Sequence, residues 1–234
     1  MKTEAPHSPE SARIIQPSLD LSHWLIEHNP RGFTFDPLPD EPQEEIAALK
    51  FRMRHKLAFA HFELALDHHT SIVLLCLNHL RSSAFPLARS LFDATWKGAW
   101  VAFAAPQDLL DKYTDGKFDP NPNTALKVLE GHKTRTSKLD VTPFLSRVFD
   151  EAYGHLSDYA HAGLLPVSRW MGEDEISAKY TNEETEELLR LCDKLAACCG
   201  IFLAEICATG LQELPAMLTD VLGLQSRGQN VSNT

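Results

Sequence analysis

The pair of residues best suited to chemistry in this sequence is Arg89 and Asp93. They lie four residues apart, and therefore on one face of a helix, and Trp96 and Trp100 continue that face. A charge among aromatic side chains is costly to bury unless it is paired. The pattern leaves two interpretations open. The pair is either an internal ion pair that fixes helix register, or a pocket in which Arg89 binds an anion and Asp93 orients it.

A second group of candidates lies in the segment HLSDYAHAG, residues 155–163. Ser157 and His161 are one helical turn apart, so that a hydroxyl and an imidazole can approach each other. Such a pair can supply a general base with a hydrogen-bonding partner, and Asp158 lies beside it. No nucleophile elbow surrounds Ser157, so a serine triad is not expected there.

A third group centres on His68, in the segment Asp-His-His at 67–69. Arg54 and His61 precede it by two heptads and one heptad, so all three share a flank of one helix. That flank is either solvated surface or a source of metal-binding histidines. Di-iron bundles need a Glu-x-x-His on each of two helices, and only Asp158-x-x-His161 approaches that spacing. We therefore expect no metal and no cofactor.

From these groups we predict a small polar pocket between helices that binds a small anionic ligand. Arg89 and His161 are the candidate catalytic residues, although the sequence does not establish that the protein is an enzyme. The residues expected to bind the ligand, with the last of them at the rim, are Arg89, Asp93, His68, Ser157, Asp158 and Arg169.

The elements that must position these residues are helical throughout. The 234 residues include 44% hydrophobic and 23% charged residues, which is typical of a globular protein. Helix starts are indicated around Pro42, at Thr142-Pro143 and by the capping box of Thr181 and Glu184. The segment 84–104 is apolar on nearly every side, which is typical of a central helix. No alternating strand pattern is found, so we predict an all-α antiparallel helical bundle.

Two apolar stripes are predicted to organise that bundle. In the first long helix, the residues expected to face the core are Ile46, Leu49, Met53, Leu57, Ala60 and Leu64. In the last helix a heptad spacing connects Leu188, Cys192, Leu195, Cys199, Phe202 and Ile206. Heptad spacing suits packing along a bundle or against a second copy. On this basis we predict a homodimer.

Composition also indicates the domain limits, the partners that are excluded and the compartment of the protein. Residues 1–40 are predicted to form a Pro-rich arm with one short helix at 19–28, residues 41–224 the bundle, and residues 225–234 a disordered tail. The net charge of −10 makes non-specific nucleic-acid binding unfavourable. Five cysteines without a metal-binding spacing suit reduced thiols in a cytoplasmic protein. No apolar run reaches the roughly 20 residues of a membrane span, so no membrane partner is expected.

Three segments together resemble a known kind of domain: 66–100, 155–163 and the Ser-Arg-Trp containing Arg169. They are similar to bacterial helical domains of unknown function, over roughly residues 45–210. Those domains have a histidine-bearing helix, then a small-Ala-x-x-Leu-x-Arg-x-x-x-Glu motif, then a late Ser/Asp–His element. Asp93 stands where that motif more often has Glu.

Such domains are similar in turn to HEPN-like bundles, several of which are dimeric ribonucleases or abortive-infection toxins. The HEPN signature is Arg, four to six residues, then His, and Arg54 and His61 fit it. One such match is expected by chance in a chain of this composition. The resemblance nevertheless implies an alternative function as a HEPN-like ribonuclease or defence toxin, with His161 or His61 as the acid–base residue and RNA as the partner.

Overall fold

Eight helices and no strand make up the part of the chain described by the computed structural model, which covers residues 9–28, 39, 41–130, 142–171, 178–206 and 221. The predicted all-α fold is confirmed. The helices are α1 (Pro9–His28), α2 (Pro42–Leu77), α3 (Arg81–Phe103), α4 (Gln107–Thr114), α5 (Pro122–Glu130), α6 (Thr142–Ala160), α7 (Leu164–Ser168) and α8 (Asn182–Ile206).

The centre of the bundle is the antiparallel hairpin of α2 and α3. The turn between them places His79 in the left-handed region, at a φ of 59°. The two helices approach closely at Gly98, where a Cβ would lie 2.7 Å from the ring of Phe62. Eleven of the 23 residues of α3 are buried, and Trp96 and Trp100 are among them, which agrees with the central position that its apolar surface predicts.

Helix α8 packs against α1, α2 and α3. Its first turn carries the predicted capping box: the backbone N–H of Thr181 donates to the Glu184 carboxylate at 2.9 Å, and that of Glu184 donates to the Thr181 hydroxyl at 3.1 Å. The heptad stripe is buried from Leu188 to Phe202. It therefore packs within the bundle, and this face of α8 is not available to a second copy.

Helix α1 is longer than the helix predicted at 19–28. It begins at Pro9 and continues through Pro17, although a proline inside a helix removes a backbone donor. Ile15, Leu21 and Leu25 are buried against the bundle, and this burial opposes the local cost of the proline. Residues 1–8, 29–38 and 40 of the predicted arm, and the predicted disordered tail at 225–234, lie outside the described residues.

The predicted core stripe of α2 is wrong for most of its residues. Leu57 packs against the core, but Ile46, Leu49 and Met53 are 56%, 47% and 57% exposed, and Leu64 is exposed as well. The face of α2 that enters the core instead carries small residues around Phe62, which let α3 approach closely. Phe51, on the other side of α2, is 58% exposed, and Arg54 already bonds the carbonyls at the end of α3. Ile46, Leu49 and Met53 therefore precede the level of α3, and neither side of these first turns is covered by it.

The cysteines of the described residues are packing residues. Cys76, Cys192, Cys198 and Cys199 are buried and free, and burial raises the pKa of the Cys199 thiol to about 12. Among the helices that the structure describes, none has the length and apolar character needed to cross a lipid bilayer.

Candidate functional site: an arginine cluster between α3 and α6

Arg89 is held between two helices by side chains from both. Its Nε–H donates to the Asp93 carboxylate at 2.8 Å, one turn further along α3. Its two terminal nitrogens donate to the hydroxyls of Ser157 and Tyr153 on α6. The guanidinium carbon also lies 3.5 Å from the centre of the Tyr153 ring, which adds a cation–π contact. The orientation of the guanidinium is therefore fixed by three partners.

The carboxylate of Asp93 is fixed in turn by Trp96. The indole Nε1–H donates to the second carboxylate oxygen at 3.0 Å, so each oxygen of Asp93 has its own donor. The side chain of Arg89 is 15% exposed and that of Asp93 is 30% exposed. The pair is thus partly open to solvent, unlike the fully buried Trp96 beside it.

The hydroxyls of α6 are arranged to receive the guanidinium. Ser157 donates its own proton to the Tyr153 backbone carbonyl at 2.7 Å, so its oxygen accepts from Arg89. Burial raises the pKa of the Tyr153 phenol, while the positive charge of Arg89 opposes that rise and the carboxylates of Asp93 and Asp119 add to it. The phenol therefore stays protonated at neutral pH and keeps an O–H to donate.

A count of donors indicates what this cluster can bind. A guanidinium has five N–H groups, and three of those of Arg89 have partners among the described residues. Two N–H groups of Arg89 and the Tyr153 O–H are left without an acceptor in that part of the chain. Donors without matching acceptors favour an anion, such as a carboxylate or a phosphate.

Asp158 lies next to this cluster in sequence but serves the following turn. Its carboxylate accepts the backbone N–H of Leu165 at 3.2 Å, at the start of α7. Its carboxylate also fills the space beside Gly163, where a Cβ would lie only 1.9 Å from an oxygen of Asp158. The role of Asp158 that the contacts support is to hold the α6–α7 corner.

Arg169 is paired elsewhere. It forms an ion pair with Glu184 in the first turn of α8, and its guanidinium carbon lies 5.9 Å from the centre of the Tyr180 ring. The positive end of the α8 dipole also favours Glu184 at that position. Arg169 thus links the segment after α7 to α8.

Neither histidine of the predicted site is among the partners that Arg89 has in the described residues. His68 lies on α2, which packs against α1, α3 and α8, whereas the arginine cluster lies between α3 and α6. Burial lowers the pKa of His68, although the neighbouring Asp67 opposes the shift. His161 is exposed just past the end of α6, one turn after Ser157.

The Arg-x6-His pair of α2 is engaged at the other end of the bundle. Arg54 donates to the backbone carbonyls of Val101 and Ala105 at 2.7 and 2.8 Å, and so caps the end of α3. Nε2 of His61 lies 2.9 Å from the hydroxyl of Tyr113. Desolvation and, to a smaller extent, the nearby charge of Lys97 lower the pKa of His61 from 6.5 to about 4.

A polar network that the sequence did not reveal lies inside the bundle. His69 donates from Nε2 to Asp193 at 2.8 Å, and its Nδ1 lies 3.0 Å from the Ser22 hydroxyl. Ser18 donates to the other oxygen of Asp193 at 2.8 Å. Serine, imidazole and carboxylate in series is the order used in nucleophilic catalysis. Here, however, Ser22 and His69 are 2% and 1% exposed, so the network ties α1 to α2 and α8 without access for a substrate.

The available signals for this network were weak. His69 stands beside His68, and Asp193 follows Cys192 of the α8 stripe. The one useful signal was the position of Asp193 next to the buried heptad residue Cys192, because a carboxylate that is buried there needs a polar partner. Within the ranges that the structure describes, no group of three or more His, Cys, Asp or Glu side chains is arranged to hold a metal ion.

Comparison with known proteins gives the chain a family. Residues 62–219 match the model of DUF6988, a family of unknown function, and this match covers more than half of the chain. The chain therefore belongs to that family, which confirms the predicted relationship to an uncharacterised domain family. No curated protein and no solved structure matches the chain, so no activity is transferred to it from a relative.

Proposed function

We propose that this member of the DUF6988 family binds a small anionic ligand, a carboxylate or a phosphate monoester, at Arg89 between α3 and α6. The observation that carries the proposal is the donor excess at the cluster. Arg89 is fixed by Asp93, Ser157 and Tyr153, is partly exposed, and keeps two N–H groups without an acceptor among the described residues.

The cluster is preorganised for such a ligand. Because Trp96 and Arg89 each occupy one oxygen of Asp93, the carboxylate holds the guanidinium in one orientation. A planar guanidinium held in this way matches the two oxygens of a carboxylate or phosphate. The Tyr153 hydroxyl, which accepts from Arg89, can donate its own proton to the same ligand.

A titration with simple probes tests the proposal. Inorganic phosphate and succinate are added to the full chain, and binding is followed by calorimetry and by the chemical shifts of labelled tryptophan indoles. Trp96 reports directly, because its indole N–H donates to Asp93. Arg89→Lys keeps the charge but loses the planar fork, and we expect it to weaken binding at least about tenfold. Tyr153→Phe should weaken binding by about tenfold through the loss of one donor to a charged ligand.

Arg190→Lys is the matched control. Arg190 also pairs with a carboxylate one turn away, Glu186, but it lies on an exposed part of α8. This variant should bind the probes like the wild type. If Arg89→Lys lowers the melting temperature and neither probe binds the wild type, the pair is an internal ion pair and the binding proposal is wrong.

A HEPN-like ribonuclease is the second candidate. Its support is His161, which is exposed one turn after the serine that Arg89 contacts. The engagement of Arg54 with the end of α3 counts against a role for the Arg-x6-His pair. Incubation with total RNA separates the candidates: cleavage by the wild type that His161→Ala abolishes would favour the ribonuclease, and unchanged RNA would remove it.

The cytosol is the proposed site of action. The four cysteines within the described ranges are buried as free thiols, which fits a reducing compartment. Labelling of the protein in intact and fractionated cells would test this placement.

A further inference from the structure

The polar face of α3 continues past the arginine cluster. Arg89, Asp93 and Lys97 follow one another at spacings of four residues, so they lie at successive turns on one side of the helix. The Lys97 ammonium forms an ion pair with Asp119 at 2.7 Å and lies 5.7 Å from the centre of the Trp96 ring. The same indole donates to Asp93 at 3.0 Å. The two ion pairs are therefore joined through Trp96 into one polar row.

Asp119 lies close to the part of this row that contacts α6. Its negative charge, like that of Asp93, raises the pKa of the Tyr153 phenol. Charges more than about 10 Å apart are largely screened in solution, so Asp119 and the phenol are close in space. The Tyr153 hydroxyl also accepts a hydrogen bond from Arg89. The carboxylates of Asp93 and Asp119 therefore both lie beside the donors of the arginine cluster.

The charges of the row limit which anion suits it. Arg89 and Lys97 carry two positive charges, and their partners Asp93 and Asp119 carry two negative charges, so the four groups sum to zero. A phosphate monoester, with a charge of about −2, would make this cluster negative next to two carboxylates. A ligand with a positive charge of its own beside its carboxylate would leave the sum at zero. The charge balance thus favours a zwitterion over a dianion.

Both carboxylates have acceptor positions for a cationic group. The two oxygens of a carboxylate offer about four such positions. Among the described residues, Asp93 uses one on each oxygen, for Arg89 and Trp96, and Asp119 uses one for Lys97. The side chains of Asp93 and Asp119 are 30% and 75% exposed. An ammonium group that approaches from solvent can therefore reach both carboxylates.

We propose that the ligand of this site is an amino acid, whose carboxylate binds Arg89 and the Tyr153 hydroxyl. Its ammonium group binds Asp93 and Asp119. This inference rests on the ligand binding proposed above, and it narrows the anion to a carboxylate with a neighbouring cation. Opposite charges of ligand and protein then face each other at both ends of the ligand. The same two carboxylates discriminate against dianions.

Three probes of similar size test whether the ligand needs a positive charge. L-Alanine, lactate and isobutyrate share a carboxylate and carry an ammonium, a hydroxyl or a methyl group beside it. We expect L-alanine to bind the full chain at least about tenfold more tightly than isobutyrate, because a hydrogen bond between charged groups is worth roughly that factor. Lactate and inorganic phosphate should also bind more weakly than L-alanine. Binding is measured by calorimetry and by the chemical shift of the Trp96 indole.

Asp119→Asn tests the assignment of the ammonium group. The substitution removes one negative charge and takes the carboxylate from Lys97, so the four groups then sum to +1. This variant should bind L-alanine at least about tenfold more weakly than the wild type, and isobutyrate more tightly. A residue with only a structural role would change both affinities in the same direction. Because Asp119 is mostly exposed, the variant should fold.

Asp115→Asn is the matched control. Asp115 lies in the same loop between α4 and α5, and it also pairs with a lysine, Lys117, at 2.9 Å on the surface. The control removes the same charge from the chain, so it should bind both L-alanine and isobutyrate like the wild type.

The outcomes separate this inference from the function on which it rests. Isobutyrate or phosphate binding as tightly as L-alanine would overturn the amino-acid proposal and leave the anion site at Arg89 in place. A preference for L-alanine that Asp119→Asn retains, or that Asp115→Asn also loses, would overturn it in the same way. No binding of any probe, or binding of L-alanine that Arg89→Lys leaves unchanged, would contradict both proposals.

Discussion

The buried network around Asp193 should be the most sensitive point of the fold to a single substitution. Asp193 accepts hydrogen bonds from Ser18 and from His69, each at 2.8 Å. Asp193→Ala leaves both donors inside the protein without an acceptor. A buried polar group that loses its partner costs about 1–3 kcal/mol. The two groups together predict a loss of about 4 kcal/mol in the free energy of unfolding, within the range for breaking a buried pair.

Smaller changes in the same network should cost less, in a definite order. Asp193→Asn keeps one carbonyl acceptor and the side-chain shape, so we expect about 2 kcal/mol. Ser22→Ala removes only the partner of His69 Nδ1, for about 1 kcal/mol. The measurement is urea unfolding at pH 7 and one fixed protein concentration, because dimerisation would make the midpoint depend on concentration.

A double-mutant cycle tests the reasoning itself. His69→Phe removes the imidazole that Asp193→Ala leaves unsatisfied, so the double variant should be less destabilised than the sum of the singles by about 1–3 kcal/mol. Glu186→Ala, which breaks an exposed pair with Arg190, is the control and should change stability by less than about 0.5 kcal/mol. Strict additivity, or a cost for Asp193→Ala no larger than the control, would refute the account of the network.

Two further predictions concern packing and pH. Gly98→Ala should destabilise the protein by about 1–3 kcal/mol, because its Cβ would lie 2.7 Å from a buried ring carbon. Gly154→Ala, where a Cβ would meet nothing within 4 Å, should instead stabilise α6 by up to about 1 kcal/mol. The opposite order in thermal unfolding would contradict the close packing of α2 and α3. Burial and, to a smaller extent, Lys97 together lower the pKa of His61 from 6.5 to about 4. The unfolded chain therefore takes up a proton at higher pH than the folded chain, and stability is lost as pH falls from 6.5 towards 4. The melting temperature of His61→Gln should therefore fall less between pH 7 and pH 5 than that of the wild type. His155→Gln, at an exposed position of α6, should behave like the wild type. Equal losses in all three proteins would contradict this origin of the pH dependence.

The helices themselves were predictable because their signals are local. The capping box of Thr181 and Glu184 satisfies backbone donors within one turn, so it works without knowledge of any other element. The i,i+4 contact of Arg89 and Asp93 is equally local and follows from helix geometry. Residues one turn apart on the same helix meet wherever that helix is placed.

The part of α2 that packs was not predictable in the same way. Ile46 and Met53 form a stripe with good helical spacing, yet they precede Arg54, which bonds the carbonyls at the end of α3, and they are exposed. Burial of such a stripe depends on how far the partner helix extends along it. Such information lies in the pairing of two segments, which periodicity along one segment does not contain.

The candidate site was predictable to the extent that it lies on one helix. Arg89 and Asp93 share α3, and Ser157 was among the residues expected beside them, but the second anchor on α6, Tyr153, was missed. Asp158, one residue further, turns to the α6–α7 corner instead. On a helix, neighbouring positions point about 100° apart, so adjacent polar residues serve different partners.

Burial, more than residue type, separates the two polar clusters of this bundle. The network of Asp193, His69 and Ser22 contains the groups of a nucleophilic triad, yet its inaccessibility restricts it to joining helices. The cluster of Arg89 and Asp93 is a simple ion pair by composition, but it is partly exposed and retains donors without acceptors among the described residues. A ligand can use only groups that it reaches and that are not already satisfied. By both criteria Arg89, and not the buried triad, is the position at which we propose that a ligand binds.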